Sequence, residues 1–84
     1  MGLDGVELVM GLETEFNAPA ADGVTLTTVA ALYEWVRAHA APDVPAGQYA
    51  GALWERYLDV VERSTGIPRQ HLRPDAAFRD LGLN

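Results

Sequence analysis

The chain contains no cysteine and no lysine, and its only serine is Ser64. Without cysteine it can form neither a disulfide framework nor a thiolate metal site, which suits a reducing cytoplasm. It also lacks an apolar run long enough to cross a bilayer, and it lacks the pattern of a signal peptide. The length of 84 residues predicts one small cytoplasmic domain. Such a domain must be stabilised by its hydrophobic core without disulfides.

Basic residues are absent from positions 1–36, whereas the acids there are Asp4, Glu7, Glu13, Glu15, Asp22 and Glu34. Residues 37–84 contain acids and arginines in equal number, so the net charge of −6 comes from the first part of the chain. Such acidity disfavours nucleic acid and anionic membrane as partners, and it favours a protein surface that bears arginine or lysine. The alternative is an acidic face that only keeps the protein soluble.

The first segment predicts a helix, from about Leu3 to Phe16, that has two apolar sides. One side has the spacing of a core face and contains Leu8, Val9, Leu12 and Phe16. The opposite side contains Leu3, Val6 and Met10, flanked by Glu7, Glu13 and Thr14. A helix that only covered a core would keep its second side polar. This second stripe is therefore a candidate partner-binding site, unless a small bundle buries both sides.

Two more long helices are predicted, separated by a linker over residues 40–49 that contains two prolines and a glycine. Thr28 is the expected N-cap of the first of them, whose core face is Val29, Leu32, Tyr33 and Val36. The next helix, over about residues 48–64, has an apolar side made of Tyr49, Leu53, Trp54, Tyr57, Leu58, Val60 and Val61. On its polar side we expect an ion pair between Asp59 and Arg63. Gly66 is placed for a left-handed cap.

Several stretches resemble acyl carrier proteins. The recognition helix of that family is similar to Leu3-Asp4-x-Val6-Glu7-Leu8-Val9-Met10-x-Leu12-Glu13-x-Glu15-Phe16, and its last helix is similar to residues 26–36. The long loop that precedes the family's Asp-Ser-Leu motif resembles Gly66-Ile67, Leu72, Pro74-Asp75-Ala76-Ala77-Phe78 and Asp80-Leu81-Gly82-Leu83. The helix before this loop resembles the family's first helix. In the resemblance Phe78 and Leu81 pack into the core, and Gly82 permits a tight bend.

These stretches occur in the reverse of the family's order. Writing the end of the chain ahead of its beginning joins Asn84 to Gly2 in register, with Asn84 at the motif's aspartate and Gly2 at its serine. The resemblance therefore implies an all-α, circularly permuted acyl-carrier-like bundle of three long helices, with room for a short fourth. It would form one domain over residues 1–84, in which residues 1–39 run from the recognition helix to the last helix and residues 50–84 supply the first helix and long loop.

The resemblance implies a fold and a docking face but not the family's chemistry. In acyl carrier proteins the serine of the motif carries a phosphopantetheine arm, and Gly2 has no hydroxyl to carry it. Ser64 is expected to satisfy backbone groups at a helix end. His39 and His71 are isolated, with no second ligand at metal spacing. We therefore expect no cofactor, no metal and no catalytic site, and hence no enzyme.

Three functions remain open. The first is a docking protein of a fatty-acid, polyketide or nonribosomal peptide pathway, which meets a basic enzyme surface through Leu3, Asp4, Val6, Glu7, Met10, Glu13 and Glu15. The second is a working carrier whose serine is Ser64 or has been removed by substitution. The third is a structural module that acts by self-association. A monomer is expected, because residues 40–49 can span about 33 Å in a domain with a radius of gyration near 12 Å. A domain-swapped dimer is the alternative.

Overall fold

The computed structural model describes residues 5–17 and 28–82, with side chains from Leu8 onward. Helix α1 spans Gly5–Phe16, α2 spans Val29–Ala40 and α3 spans Ala52–Thr65. Two short 3-10 turns follow, η1 at Arg69–His71 and η2 at Phe78–Leu81. The described ranges contain no strand, only an isolated bridge between Thr28 and Ala77. The prediction of a small, all-α chain with three long helices is therefore confirmed.

The ends of α1 and α2 follow from local sequence. Helix α1 ends at Phe16, as expected, and Asn17 takes a left-handed φ of 51°. The expected start of α1 at Leu3 lies outside the described residues. Thr28 is the N-cap of α2, because its Oγ1 accepts a hydrogen bond from the backbone N–H of Ala31 at 3.1 Å.

Helix α3 begins at Ala52, so the predicted start near Gln48 is wrong. Gly47 and Gly51 both have positive φ, 81° and 97°, which a right-handed helix cannot accommodate. The end of α3 is as predicted: Gly66 is left-handed at φ 77°, and its N–H donates to Glu62 O at 2.8 Å. Thr65, rather than Ser64, satisfies the helix end, since its Oγ1 donates to Val61 O at 2.7 Å.

The core combines all three helices with the segment that follows them. Its buried apolar members are Leu8, Leu12, Phe16, Val29, Leu32, Tyr33, Val36, Trp54, Tyr57, Leu58, Val60, Val61, Ile67, Leu72 and Phe78. Phe78 is fully buried and Leu81 packs partly against the same core. The segment before Phe78 is fastened to the start of α2, because Val29 N–H donates to Ala76 O and Ala30 N–H donates to Pro74 O, each at 2.9 Å.

Helices α1 and α3 pack closely at Gly11. A Cβ placed on Gly11 would lie 2.8 Å from Ser64 Oγ and 3.6 Å from a methyl group of Val60. Glycine in a helix interior costs about 1 kcal/mol relative to alanine, and here its lack of a side chain permits the close helix contact. Ser64 therefore belongs to the contact between the two helices.

Two buried tyrosines differ in their hydrogen bonding, and their phenylalanine variants should therefore differ in stability. The hydroxyl of Tyr57 donates to Val29 O at 2.7 Å, whereas the equally buried hydroxyl of Tyr33 has no hydrogen-bond partner. Tyr57→Phe should lower the free energy of unfolding by about 1 kcal/mol, because it removes a buried hydrogen bond. Tyr33→Phe should leave it unchanged or raise it, because it removes an unsatisfied polar group. Urea denaturation of both variants measures the difference, and equal losses would contradict the assignment.

Candidate functional site

The outer face of α1 carries a large apolar side chain that is exposed to solvent. Met10 is 58% exposed, and it is the one large apolar side chain classed as exposed among those described. Glu13 follows it by three positions and is half-buried, and Thr14 follows by four and is exposed. Residues three and four apart in a helix share a face. An apolar side chain is thus bordered by a carboxylate, an arrangement suited to a partner with an apolar centre and a basic rim.

Glu15 lies on a different side of α1 and is engaged within the chain. Its carboxylate accepts from Arg56 Nη2 at 3.2 Å and from Arg63 Nη2 at 3.3 Å. The hydrogen bond from Arg56, aided by the one from Arg63, lowers the pKa of Glu15 below its ordinary value of 4.5. Arg56 also lies 4.8 Å above the centre of the Phe16 ring. Of the predicted site residues, the structure thus brings Met10 and Glu13 together and places Glu15 in the α1–α3 contact.

Helix geometry provides a signal that separates these carboxylates. At about 100° per residue, position 15 lies about 140° around the helix from position 10, whereas position 13 lies about 60° away. Glu15 therefore falls near Gly11 on the side that meets α3. The net charge of the first segment alone does not reveal this difference between Glu13 and Glu15.

The predicted pair between Asp59 and Arg63 is wrong. Arg63 reaches Glu15, and Asp59 Oδ1 instead accepts from Arg69 Nη2 at 2.6 Å. Arg69 also donates to Glu55 Oε1 at 2.6 Å, so it fastens η1 to the polar side of α3. The pairing follows the tertiary path of the chain rather than the helix spacing, since surface pairs of this kind contribute little energy and are easily exchanged.

The remaining predicted partner-binding residues lie at the start of α1 and before it, where the structure describes no side chains. Gly2, Leu3 and Asp4 lie outside the described residues. Val6 and Glu7 belong to α1, on helix positions close to that of Met10, and their side chains lie outside the described set. The described part of the site is accordingly the surface of Met10, Glu13 and Thr14, which we call the Met10 face.

The two histidines lie on other elements than α1. His39 is exposed, its Nδ1 is 2.8 Å from Trp35 O, and its ring lies against that of Trp35. His71 is exposed in η1. Within the described ranges, no group of three or more His, Cys, Asp or Glu side chains is placed to hold a metal ion.

Comparison with protein-family models, curated proteins and solved structures gives no match. In the part of the chain that the structure describes, no helix has the length and apolarity needed to cross a membrane. The function must therefore be argued from the Met10 face and from the resemblance of the sequence.

Proposed function

We propose that this chain is an acyl-carrier-like docking protein that binds the basic surface of an enzyme in a fatty-acid, polyketide or nonribosomal peptide pathway. The observation that carries the proposal is the Met10 face, where a 58% exposed methionine adjoins Glu13 on a helix without basic residues. Arginine or lysine residues of the partner would meet Glu13 and Glu7, while an apolar patch covers Met10. Contacts led by charge associate quickly and weaken as salt increases.

The fold proposed for it is a circularly permuted acyl carrier bundle. Its support is the packing of the segment after α3, which resembles the family's long loop. Phe78 in this segment is buried in the same core as Leu8 and Leu12 of α1. The left-handed Gly82, with φ 93°, ends η2 in the tight bend that the resemblance implies. Residues 83–84 and 1–4, which contain the proposed junction, lie outside the described residues.

We further propose that the protein docks without carrying an arm. Gly2 stands at the serine position, and the one serine, Ser64, faces α1, with its Oγ 2.8 Å from the position of a Cβ on Gly11. Ser64 is half-buried beside α1, so this helix would obstruct the attachment of an arm there. Intact mass measured after incubation with a phosphopantetheinyl transferase and coenzyme A should stay unchanged. An added arm would instead favour the working-carrier alternative.

Binding to a purified phosphopantetheinyl transferase, an enzyme that must dock on carrier proteins, tests the proposal. Glu13→Arg should weaken this binding about tenfold or more, which corresponds to about 1.4 kcal/mol, because it places a positive charge against a basic surface. Adding Glu7→Arg should abolish binding. Titration calorimetry at low and at physiological salt measures both the affinity and its salt dependence.

The matched control is Asp75→Arg, which makes the same charge change at an exposed position between η1 and η2. This control should retain nearly the wild-type affinity. Equal losses for Glu13→Arg and Asp75→Arg would show that only net charge matters and would contradict docking through the Met10 face. Absence of binding by the wild-type protein would contradict docking on this class of enzyme.

A further inference from the structure

The connection between α2 and α3, residues 41–51, is held against α2 by two side chains of that helix. Arg37 Nη1 donates to the carbonyl oxygens of Val44 at 2.9 Å and of Pro42 at 3.5 Å. From the other direction, the N–H of Gly47 donates to Glu34 Oε2 at 3.0 Å. The two side chains are themselves joined, since Arg37 Nε lies 2.7 Å from Glu34 Oε1.

This ion pair is more shielded from water than the other ion pairs of the described structure. The side chains of Arg37 and Glu34 are 16% and 29% exposed, whereas those of the remaining pairs are between 37% and 71% exposed. Charge-assisted hydrogen bonds to backbone groups are stronger than neutral ones, and shielding from water strengthens them further. The hydrogen bonds from Gly47 and Arg37 also lower the pKa of Glu34 below 4.5, so it is ionised at neutral pH.

The far end of the connection is fixed by aromatic packing. The ring of Tyr49 lies edge-on to that of Tyr33, with centroids 5.9 Å apart, and 5.4 Å from that of Trp54 at the start of α3. The connection from Ala41 to Gly51 therefore runs back along α2, so that α3 packs on α1 of the same chain. The left-handed backbone at Gly47 and Gly51 permits the two changes of direction.

Released from α2, the same residues could reach a second molecule. Fully extended, residues 41–51 span about 36 Å, close to the 37 Å longest dimension of the protein. A connection of that reach allows α3 and the segment after it to pack on the α1 of another chain, where they would make the same core contacts. Exchange of identical elements between chains is favoured when the hinge between them opens.

We propose that the Glu34–Arg37 pair is a latch that holds residues 41–51 against α2 and thereby selects closure of the core within one chain over exchange of α3 between two chains. The latch requires a donor at position 37 and an acceptor at position 34, because its bonds go to backbone carbonyls and to a backbone N–H. The residues of the latch lie in α2 and in the connection, outside the Met10 face, so the proposal is independent of the proposed function.

Size-exclusion chromatography with light scattering tests the latch on the full chain. The wild-type protein should have the mass of one chain from micromolar to near-millimolar concentration. Arg37→Ala and Glu34→Ala should raise the dimer fraction several-fold while circular dichroism shows unchanged helix content. The matched control is Asp59→Ala, which removes a more exposed partner of Arg69 on α3, and it should stay monomeric.

The kind of dimer and the chemistry of the latch can both be checked. A dimer formed by exchange must unfold to separate, so it should persist for hours after dilution, whereas simple association would reverse at once. The swapped pair Glu34→Arg with Arg37→Glu restores opposite charges but cannot donate to the carbonyls of Pro42 and Val44, so it should dimerise like the alanine variants. Should an alanine variant fail to fold, Glu34→Gln, which keeps an acceptor without charge, should show a smaller rise in dimer fraction.

Several outcomes would overturn the latch. They are folded, monomeric alanine variants across the whole concentration range, equal dimerisation by Asp59→Ala, and dimers that dissociate at once on dilution. A monomeric charge-swapped variant would show that ion pairing alone keeps the protein monomeric, and it would overturn the requirement for hydrogen bonds to the carbonyls of Pro42 and Val44. A wild-type dimer, or a Glu34→Gln dimer fraction equal to that of the wild type, would equally reject the proposal.

Discussion

A chain rebuilt in the acyl carrier order, with a serine placed at position 2, should accept a phosphopantetheine arm if the proposed fold is correct. The variant consists of residues 48–84 followed directly by residues 2–40, with Asn84→Asp and Gly2→Ser, so that the junction becomes Asp-Ser-Leu. If the fold is a permuted acyl carrier bundle, the new hydroxyl stands at the start of the helix that we identify with α1. The positive end of a helix dipole favours a phosphate at that place.

The measurement is intact mass after incubation with a phosphopantetheinyl transferase and coenzyme A. We expect the mass of one arm to be added to the rebuilt chain, and none to the same chain that retains Gly2. This effect is all-or-none, which makes it the sharpest test of the resemblance. Circular dichroism of the two chains provides the control for folding, since both should keep the helix content of the parent.

The possible failures of this experiment distinguish two parts of the proposal. A rebuilt chain that does not fold would contradict the permutation, because the permutation requires ends that can be joined without loss of the core contacts. A rebuilt chain that folds but gains no mass would instead contradict the identification of α1 as the recognition helix. In either case the docking function would lose the support of the resemblance and rest on the Met10 face alone.

Replacing Phe78 by alanine should come close to unfolding the protein. The Phe78 side chain is fully buried although η2, which carries it, spans only Phe78–Leu81. Phe→Ala in a core costs about 3–5 kcal/mol, while small domains have a total unfolding free energy of about 5–15 kcal/mol. Phe78→Ala should therefore remove a large share of the total unfolding free energy, because the segment after α3 forms part of the core.

Leu81→Ala provides the matched control from the same turn. Leu81 packs only partly against the core, so its truncation should cost clearly less than that of Phe78. Urea denaturation followed by circular dichroism measures the unfolding free energy of each variant. A loss below about 1 kcal/mol for Phe78→Ala would show that the segment is a peripheral appendage and would weaken the comparison with the acyl carrier loop.

The candidate site was predictable only in part. The apolar position of Met10 and its neighbour Glu13 followed from helix spacing, because both lie on the side of α1 away from Leu8 and Leu12. The role of Glu15 did not follow, since its partners Arg56 and Arg63 are far along the chain and reach it only when α3 packs on α1. An acidic count over residues 1–36 therefore overstates the charge that a partner would meet.

The sequence by itself determined features whose causes are local. The core faces of the helices follow from apolar spacing, except that Val9, predicted on the core face of α1, is only half-buried and lies outside the core. The N-cap at Thr28 follows from a hydroxyl before an apolar run, and the bends at Gly66 and Gly82 follow from residues that tolerate positive φ. Each of these depends on a few neighbouring residues. Residue type and spacing within one segment were therefore sufficient to predict them.

The tertiary structure alone decided the pairing of charges and the path between helices. Arg69 pairs with Asp59 in place of the expected partner Arg63, and the side chains of Arg37 and Glu34 bind backbone groups of Val44 and Gly47 in the connection before α3. Surface charges gain little from any one partner. The ion pairs that form are therefore determined by which segments the packing of the core brings close together.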